Sequence, residues 1–478
     1  MQNEQILGTQ SIPKLLLKYS VPAIIGMMVN ALYNVVDRIF IGNIPGAGPL
    51  AITGVGICLP IMTIILAFSM LVGIGATTNI SIKLGQGKRD EAEKIIGNSI
   101  TLAIVIGFII TILGILFCEP ILRVFGASDS TLPYAKDFIY IILGGTIFSM
   151  LGYTLNTTIR GDGNPKLSAI IMIVGCLTNI ILDAVLIFVF HLGIKGAAIA
   201  TVIAQLVTAV WGLSYYVKGK SNLKFKKSSL RLDKNLVKPV FAIGSAPFAM
   251  QLATSLVQVI SNNALKTYGG DLAIGAMATV SSIALMISMP IFGLNQGAQP
   301  IIGFNFGAAK YDRANKAFKL SAIVAVIIMT TGWLLIQTVP QLIVGMFNRD
   351  PKLMEMSVTG ARIYLLMLPI IGISITGSNY IQSIGKAKTA IILSLLRQVI
   401  ILIPMILILL TAIILSLLRQ VIILIPMILI LPKFLGLDGV WYAQPVSDFL
   451  ATVITIIILY REFKSQQKVN REEQEVIA

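Results

Sequence analysis

The sequence has little charge, a single histidine and few cysteines. Charged residues make up 12% of its 478 residues and hydrophobic residues 56%, whereas a soluble globular protein carries about 25% charged residues. The lone histidine, His191, excludes histidine-cluster metal chemistry. Cys58, Cys118 and Cys176 all fall within apolar stretches, which argues against a disulfide framework or a thiolate metal site. These shortages exclude most soluble classes and predict an all-α protein that crosses a membrane many times.

Acidic residues are scarcer than basic ones. Lys and Arg number 37 against 21 Asp and Glu, which gives a formal net charge of +16. The basic residues lie in short loops between apolar runs, for example Arg160 and Lys166 after the fourth run. This distribution marks cytoplasmic loops that contact anionic lipid headgroups, and it argues against a nucleic-acid partner. It predicts a multi-pass protein of the cell membrane with both termini in the cytoplasm, and the polar first twenty residues do not resemble a signal peptide.

Apolar runs long enough to cross the membrane fall into two sets of six. A helix needs about 20 apolar residues to cross the hydrocarbon layer. The runs are 14–41, 50–82, 95–118, 134–159, 167–190 and 195–217, then 236–266, 272–304, 317–346, 356–384, 389–431 and 438–460. The sequence therefore predicts twelve transmembrane helices, with an N-terminal lobe at 1–217, a basic cytoplasmic loop at 218–238, a C-terminal lobe at 239–464 and a polar cytoplasmic tail at 465–478.

The two halves are related in sequence. GQGKRDEAEK at 85–94 follows the second run, and GAAKYDRANK at 307–316 follows the eighth, with Gly, Lys, Asp, Ala and Lys in register. The first and seventh runs also align, matching Pro22 to Pro247. Since each half has an even number of spans, the repeats run in the same direction. Parallel repeats of this kind build transporters that rock two bundles around a central site.

The penultimate run contains an exact duplication. TAIILSLLRQVIILIPMILIL occurs at 389–409 and again, letter for letter, at 411–431. One helix over both copies would be about twice as long as the bilayer is thick. If both copies crossed the membrane, the basic C-terminal tail would lie outside the cell, which the positive-inside rule disfavours. We therefore expect one copy to be a surplus helical segment displaced from the bundle, with Arg397 and Arg419 needing a partner or an aqueous cavity.

Asp37 and Asp183 are acidic residues inside the first and fifth apolar runs. Asp37 lies about five residues before the end of the first run, and an ionised side chain at such a depth costs about 1–3 kcal/mol unless it is paired or hydrated. Asn179 and Asp183 are four residues apart in the fifth run, on one helical face. Thr201 lies at a similar depth in the sixth. These oxygen-bearing groups suit either a small cation such as Na⁺ or a proton shared by two carboxyl groups.

The second half lacks this chemistry. Asn262 replaces the acid of the first run. Asp448, early in the last run, fits an interfacial structural role and an ion-handling role equally well. The sequence therefore confines ion chemistry to the first half.

PAIIGMMVNALYNVVDRIFIGN at 22–43, TNIILDAVLIF at 178–188 and GIKGAAIATVIAQ at 193–205, together with the two related halves, resemble the multidrug and toxic compound extrusion (MATE) family over essentially the whole chain. The resemblance implies two six-helix lobes facing a cavity that opens alternately to either side. It also implies export of drugs or other amphipathic organic compounds, and we expect these compounds to be cationic. The transporter is expected to be a monomer that uses H⁺ or Na⁺ as its coupling ion and no other cofactor. The family's acid cluster falls on Asp37, Asn179, Asp183 and Thr201. The duplication departs from the family pattern.

The substrate cavity is expected to hold flexible and aromatic side chains, which repack around varied compounds. Span position suggests Met27, Met28, Tyr153, Asn156, Met250 and Gln251.

A lipid-linked saccharide flippase of the same superfamily is the alternative transport function, and would line its cavity with Arg or Lys. A membrane-embedded enzyme would need a nucleophile–base pair or metal ligands at membrane depth, and a non-transporting scaffold would leave the buried acids unexplained.

Overall fold

The computed structural model describes residues 2–44, 48–125, 127–218, 221–346, 351–386 and 424–477. Every regular element within these ranges is helical, which confirms the predicted all-α fold. Most of the duplicated segment, including Arg397 and Arg419, lies outside the described residues. The helices of the first half are α1 (Gln2–Thr9), α2 (Ile12–Gly42), α3 (Gly48–Gly85), α4 (Arg89–Leu116), α5 (Cys118–Val124), α6 (Leu132–Gly144), α7 (Thr146–Gly161), α8 (Pro165–Ala184, extended by a π-helical turn at Val185–Val189) and α9 (Gly193–Val217).

The second half follows a linker that contains a 3₁₀ turn at Lys227–Leu230. Its helices are α10 (Lys234–Gly307), α11 (Tyr311–Thr338), α12 (Pro340–Val344), α13 (Pro351–Tyr364), α14 (Leu368–Ser383), α15 (Leu424–Leu435) and α16 (Leu437–Ile477). Eight segments of the described chain are long and apolar enough to cross a membrane, or ten if each of two bent helix pairs counts as one span. Large apolar side chains such as Phe108 and Leu116 are 56% and 68% exposed, as lipid-facing residues are.

The two bent pairs are the fourth spans of the two halves. Helices α6 and α7 meet at 53°, and helices α13 and α14 meet at 55°. Chance similarity of apolar helices does not place equal bends at equivalent positions. The geometry therefore supports the internal repeat that the sequence predicts.

Helix α10 begins and continues where the sequence predicts loops. The Asp233 side chain accepts a hydrogen bond from the Asn235 backbone N–H (2.9 Å), a cap that starts the helix at Lys234, inside the predicted 218–238 loop. The predicted break near 267–271 is helical in the structure, and α10 carries two segments of spanning length, Lys234–Thr254 and Gly275–Gly307. A glycine in a helix interior costs only about 1 kcal/mol, so Gly269 and Gly270 do not interrupt it.

Three apolar cores hold the described chain together. The buried residues of one core all belong to the first half and those of another all belong to the second, although a few partly buried residues of the other half pack against each. The third joins both halves and collects residues next to the basic loops, such as Leu84, Ile95, Ile159 and Phe304. The halves are thus closed against each other at the end of the bundle that carries the basic loops.

Glycines allow this close approach, because small residues let helix backbones touch. A methyl group built on any of four glycines in α3 and α10 would overlap a backbone carbonyl of the other half. The overlapping pairs are Gly75 with Val240, Gly244 with Leu71, Gly85 with Phe304, and Gly307 with Ile82.

The linker between the halves is fastened to the first half by buried polar groups. Asp162, at the end of α7, is 2% exposed. Its carboxylate accepts hydrogen bonds from the Tyr215 hydroxyl (2.5 Å) and from the backbone N–H groups of Asn222 (3.0 Å) and Leu223 (3.1 Å). The start of the linker is therefore held against the end of α7 in the N-terminal bundle.

Two residues of α4 hold the following part of the linker. The Asn98 amide donates to the carbonyl groups of Ser229 (3.0 Å) and Arg231 (3.1 Å). Glu93 pairs with Lys226 at 3.0 Å, and this contact raises the pKa of the Lys226 ammonium group.

We expect Asp162→Ala to destabilise the protein by about 3 kcal/mol, since it removes three hydrogen bonds to a buried carboxylate and leaves two backbone N–H groups without acceptors. Thermal unfolding of the purified protein in detergent measures the change. Asp129→Ala is the matched control, because Asp129 is 93% exposed and its pair with Arg123 lies at the surface. Equal melting temperatures for the two variants would contradict the role of Asp162.

Candidate functional site

The two acids of the first half come together between α2 and α8. Asp183 is fully buried and its carboxyl group lies within hydrogen-bonding reach of that of Asp37. No N–H or hydroxyl group of the described residues donates to Asp183 Oδ1. Two carboxyl groups in such contact repel unless they share a positive charge. One proton or one small cation between the two groups would remove this repulsion.

Asn179 and Thr201 complete this acid pocket. With its amide oriented to satisfy both ends, Asn179 donates to Asp183 Oδ2 (2.9 Å) and accepts from the Thr201 backbone N–H (3.0 Å) and hydroxyl (3.3 Å). The hydrogen-bonding network, rather than the shape of the amide, decides this orientation. The structure thus brings together all four residues that the sequence singles out.

Tyr33 is a member of the pocket that the sequence reasoning missed. Its hydroxyl interacts with Thr201, and it lies close to both Asp37 and Asp183. Tyr33 precedes Asp37 by four residues, so the two share a helix face. This four-residue spacing is the sequence feature that could have identified Tyr33.

Asp448 is buried in the second half. It is 1% exposed, and its carboxylate accepts a hydrogen bond from Gln444 (2.9 Å) one turn earlier in α16. Helix α16 packs against α13, α14 and α15, and this burial could not be read from the residue's position along the run. The side chain of Asn262 lies outside the described residues.

A cavity of about 630 Å³ lies between the two halves, a size typical of sites for drug-sized ligands. Five of the six residues proposed for it from the sequence lie on its wall: Met27, Tyr153, Asn156, Met250 and Gln251. Met28 does not, and is 48% exposed. Successive helix residues are rotated by about 100°, so Met28 points away when Met27 faces the cavity.

The cavity wall is apolar with many side-chain amides. Its amide-bearing residues are Asn30, Asn156, Asn179, Gln205, Gln251, Asn295, Gln296, Gln299, Asn379 and Gln382. Tyr33, Asn179 and Thr201 belong to both the wall and the acid pocket, whereas Asp37 and Asp183 do not line the cavity. These three residues therefore separate the two acids from the cavity.

Adjacent methionines provide a test of the cavity. Met27→Trp places a bulky ring in the cavity, and we expect it to weaken binding of a fluorescent organic dye by about tenfold or more, which corresponds to 1.4 kcal/mol. Met28→Trp adds the same ring to an exposed position and should change binding little. Fluorescence polarisation of the purified variants measures both, and equal effects would show that the dye binds elsewhere.

The MatE family model matches residues 22–185 and 247–408, about two thirds of the chain in two copies. The multidrug export protein MepA of Staphylococcus haemolyticus (strain JCSC1435) is 28% identical over 462 residues, which cover 96% of each chain. The structure of the MATE multidrug transporter DinF-BH has a TM-score of 0.85 at 37% identity, covering 95% of this chain and 96% of that one. A MATE crystal structure in complex with MaL6 shares the fold, with a TM-score of 0.88 at 20% identity over 98% of this chain and 100% of the other. Because the family model matches in both halves and a relative is 37% identical over nearly the whole chain, this protein belongs to the MATE family of multidrug export transporters.

Proposed function

We propose that this protein exports small amphipathic organic compounds in exchange for a cation, H⁺ or Na⁺, as a monomer in the cell membrane with its N-terminus in the cytoplasm. The observation that carries the proposal is the buried contact between Asp37 and Asp183 beside a cavity of about 630 Å³. The relatives named as multidrug exporters and transporters support small organic cargo.

The shared layer of Tyr33, Asn179 and Thr201 is the means of coupling. A proton or sodium ion on the carboxyl pair neutralises its charge and changes which acceptors these three groups satisfy. The same groups face the cavity, so the ion and the cargo act on one set of hydrogen bonds. A ligand shifts a conformational equilibrium only through different affinities for the two states, and rearrangement of this layer supplies that difference.

Closure at one end and a cavity between the halves support alternating access. The glycine contacts of α3 and α10 seal the halves next to the basic loops, which the positive-inside rule places in the cytoplasm. The cargo leaves on the opposite side in this conformation. Rocking of the two halves about the cavity then exposes it to the cytoplasm.

The cavity composition favours drug export over the flippase alternative. A pyrophosphate-linked lipid needs several Arg or Lys side chains, whereas Arg160 is the single basic residue among the described residues that line the cavity.

We expect Asp37→Asn and Asp183→Asn each to reduce dye efflux from cells by about tenfold or more, because an amide cannot take up a proton or neutralise a cation. Asp448→Asn is the matched control, since that carboxylate is buried in the second half, and it should retain most activity. Proteoliposomes then identify the ion, with efflux driven by a pH jump for H⁺ or a sodium jump for Na⁺. Unaltered efflux in both N-terminal variants would refute the coupling site.

A pair of engineered disulfides tests alternating access. A Cβ built on Gly303 lies 3.0 Å from Ser81 Cβ across the two halves, and one built on Gly212 lies 2.9 Å from Leu155 Cβ within the first half. Both separations are slightly below those of natural disulfides. Oxidation of the Ser81→Cys/Gly303→Cys variant should stop transport, and reduction should restore it. The Leu155→Cys/Gly212→Cys variant should cross-link without this block, and continued transport by a fully cross-linked inter-lobe pair would rule out rocking of the halves.

A further inference from the structure

Arg160 is a buried charge on the cavity wall. The sequence places it in the loop after the fourth span, but the structure places it in the last turn of α7, only 5% exposed. It is the one charged side chain among the described residues that line the cavity. A transported compound therefore meets a positive charge directly, while the two acids lie behind the wall.

The partner of Arg160 is neutral. Its guanidinium group donates to the side-chain oxygen of Gln296 (2.7 Å), across the boundary between the halves. No carboxylate of the described residues pairs with it. The nearest acid in sequence, Asp162, is occupied by Tyr215, Asn222 and Leu223.

An arginine in this position favours an anion in the cavity. The guanidinium group has five N–H donors, and the hydrogen bond to Gln296 uses one. The carbonyl end of α7 carries about half a negative charge, which offsets part of the cost of burial but leaves donors facing the cavity. An uncompensated buried charge is strongly destabilising, whereas carboxylates match the planar guanidinium fork with two parallel hydrogen bonds.

We propose that Arg160 binds the carboxylate, or a comparable singly charged oxyanion, of a transported compound, through the guanidinium donors that line the cavity. The assignment of the ligand as cargo rests on the proposed export function. The subsite selects compounds that combine an apolar ring system with one acidic group, and it ranks them above analogues in which that acid is masked as an ester.

A rhodamine dye with a free carboxyl group and its ethyl ester form a suitable probe pair, since they share the ring system and differ only in whether the carboxyl group is free or ethylated. We expect purified wild-type protein to bind the acid about tenfold or more tightly than the ester, as a charge-assisted bidentate contact allows. In Arg160→Gln the ratio of the two affinities should fall towards one. Arg160→Lys keeps the charge without the planar fork and should give an intermediate ratio. Fluorescence polarisation measures all of these titrations.

Gln296→Met is the control for loss of the inter-lobe hydrogen bond. It leaves the charge of Arg160 in place, so the preference for the acid should remain well above one. Equal affinity of the wild-type protein for acid and ester would overturn the proposal, and so would an undiminished preference in Arg160→Gln. If Arg160→Gln does not fold, the wild-type ratio and the Arg160→Lys ratio decide the question. Because binding needs no ion gradient, absence of dye transport with an intact acid preference would refute the export function and not the subsite.

Discussion

The first half is organised around two carboxyl groups in contact, one on a fully buried residue and one on a half-buried residue. An ionised side chain at this depth in a membrane helix costs about 1–3 kcal/mol, and a second one in contact adds repulsion. Asp37 and Asp183 lie in this arrangement. Asn179 offsets part of this cost by donating a hydrogen bond to Asp183. In the proposed function, one positive charge shared by the pair removes the repulsion, and helices α2, α8 and α9 then contact a site whose charge changes.

The position of this pair relative to the cavity matters as much as its charge. If the carboxylates lined the cavity, a cationic compound and the coupling ion would compete for the same oxygens by direct contact. Tyr33, Asn179 and Thr201 separate the two sites and belong to both. The proposed exchange is therefore indirect, since each ligand changes the hydrogen bonds that are available to the other.

Sequence reasoning succeeded where one helix or one repeat carries the information. Asn179 and Asp183 share a helix face because they are four residues apart, and the alignment of Pro22 with Pro247 agrees with the two family matches, which begin at residues 22 and 247. It failed where a position depends on helix rotation or on packing between elements. Met28 faces away from the cavity although Met27 faces into it. Arg160 is buried on the cavity wall and donates to Gln296 of the second half, although the sequence places it in a loop.

The contact between Arg160 and Gln296 connects cargo recognition with closure of the halves. Arg160 belongs to α7 and Gln296 to α10, so their hydrogen bond joins the two lobes at the cavity wall. An oxyanion that binds the guanidinium group in a bidentate manner competes with the Gln296 oxygen for the same donors. In the proposed arrangement, cargo binding therefore weakens an inter-lobe contact at the moment the site fills. The glycine contacts between α3 and α10 are van der Waals contacts without a hydrogen-bond donor. The Arg160 hydrogen bond has a charged donor on the cavity wall. A bound oxyanion can therefore break this inter-lobe contact directly.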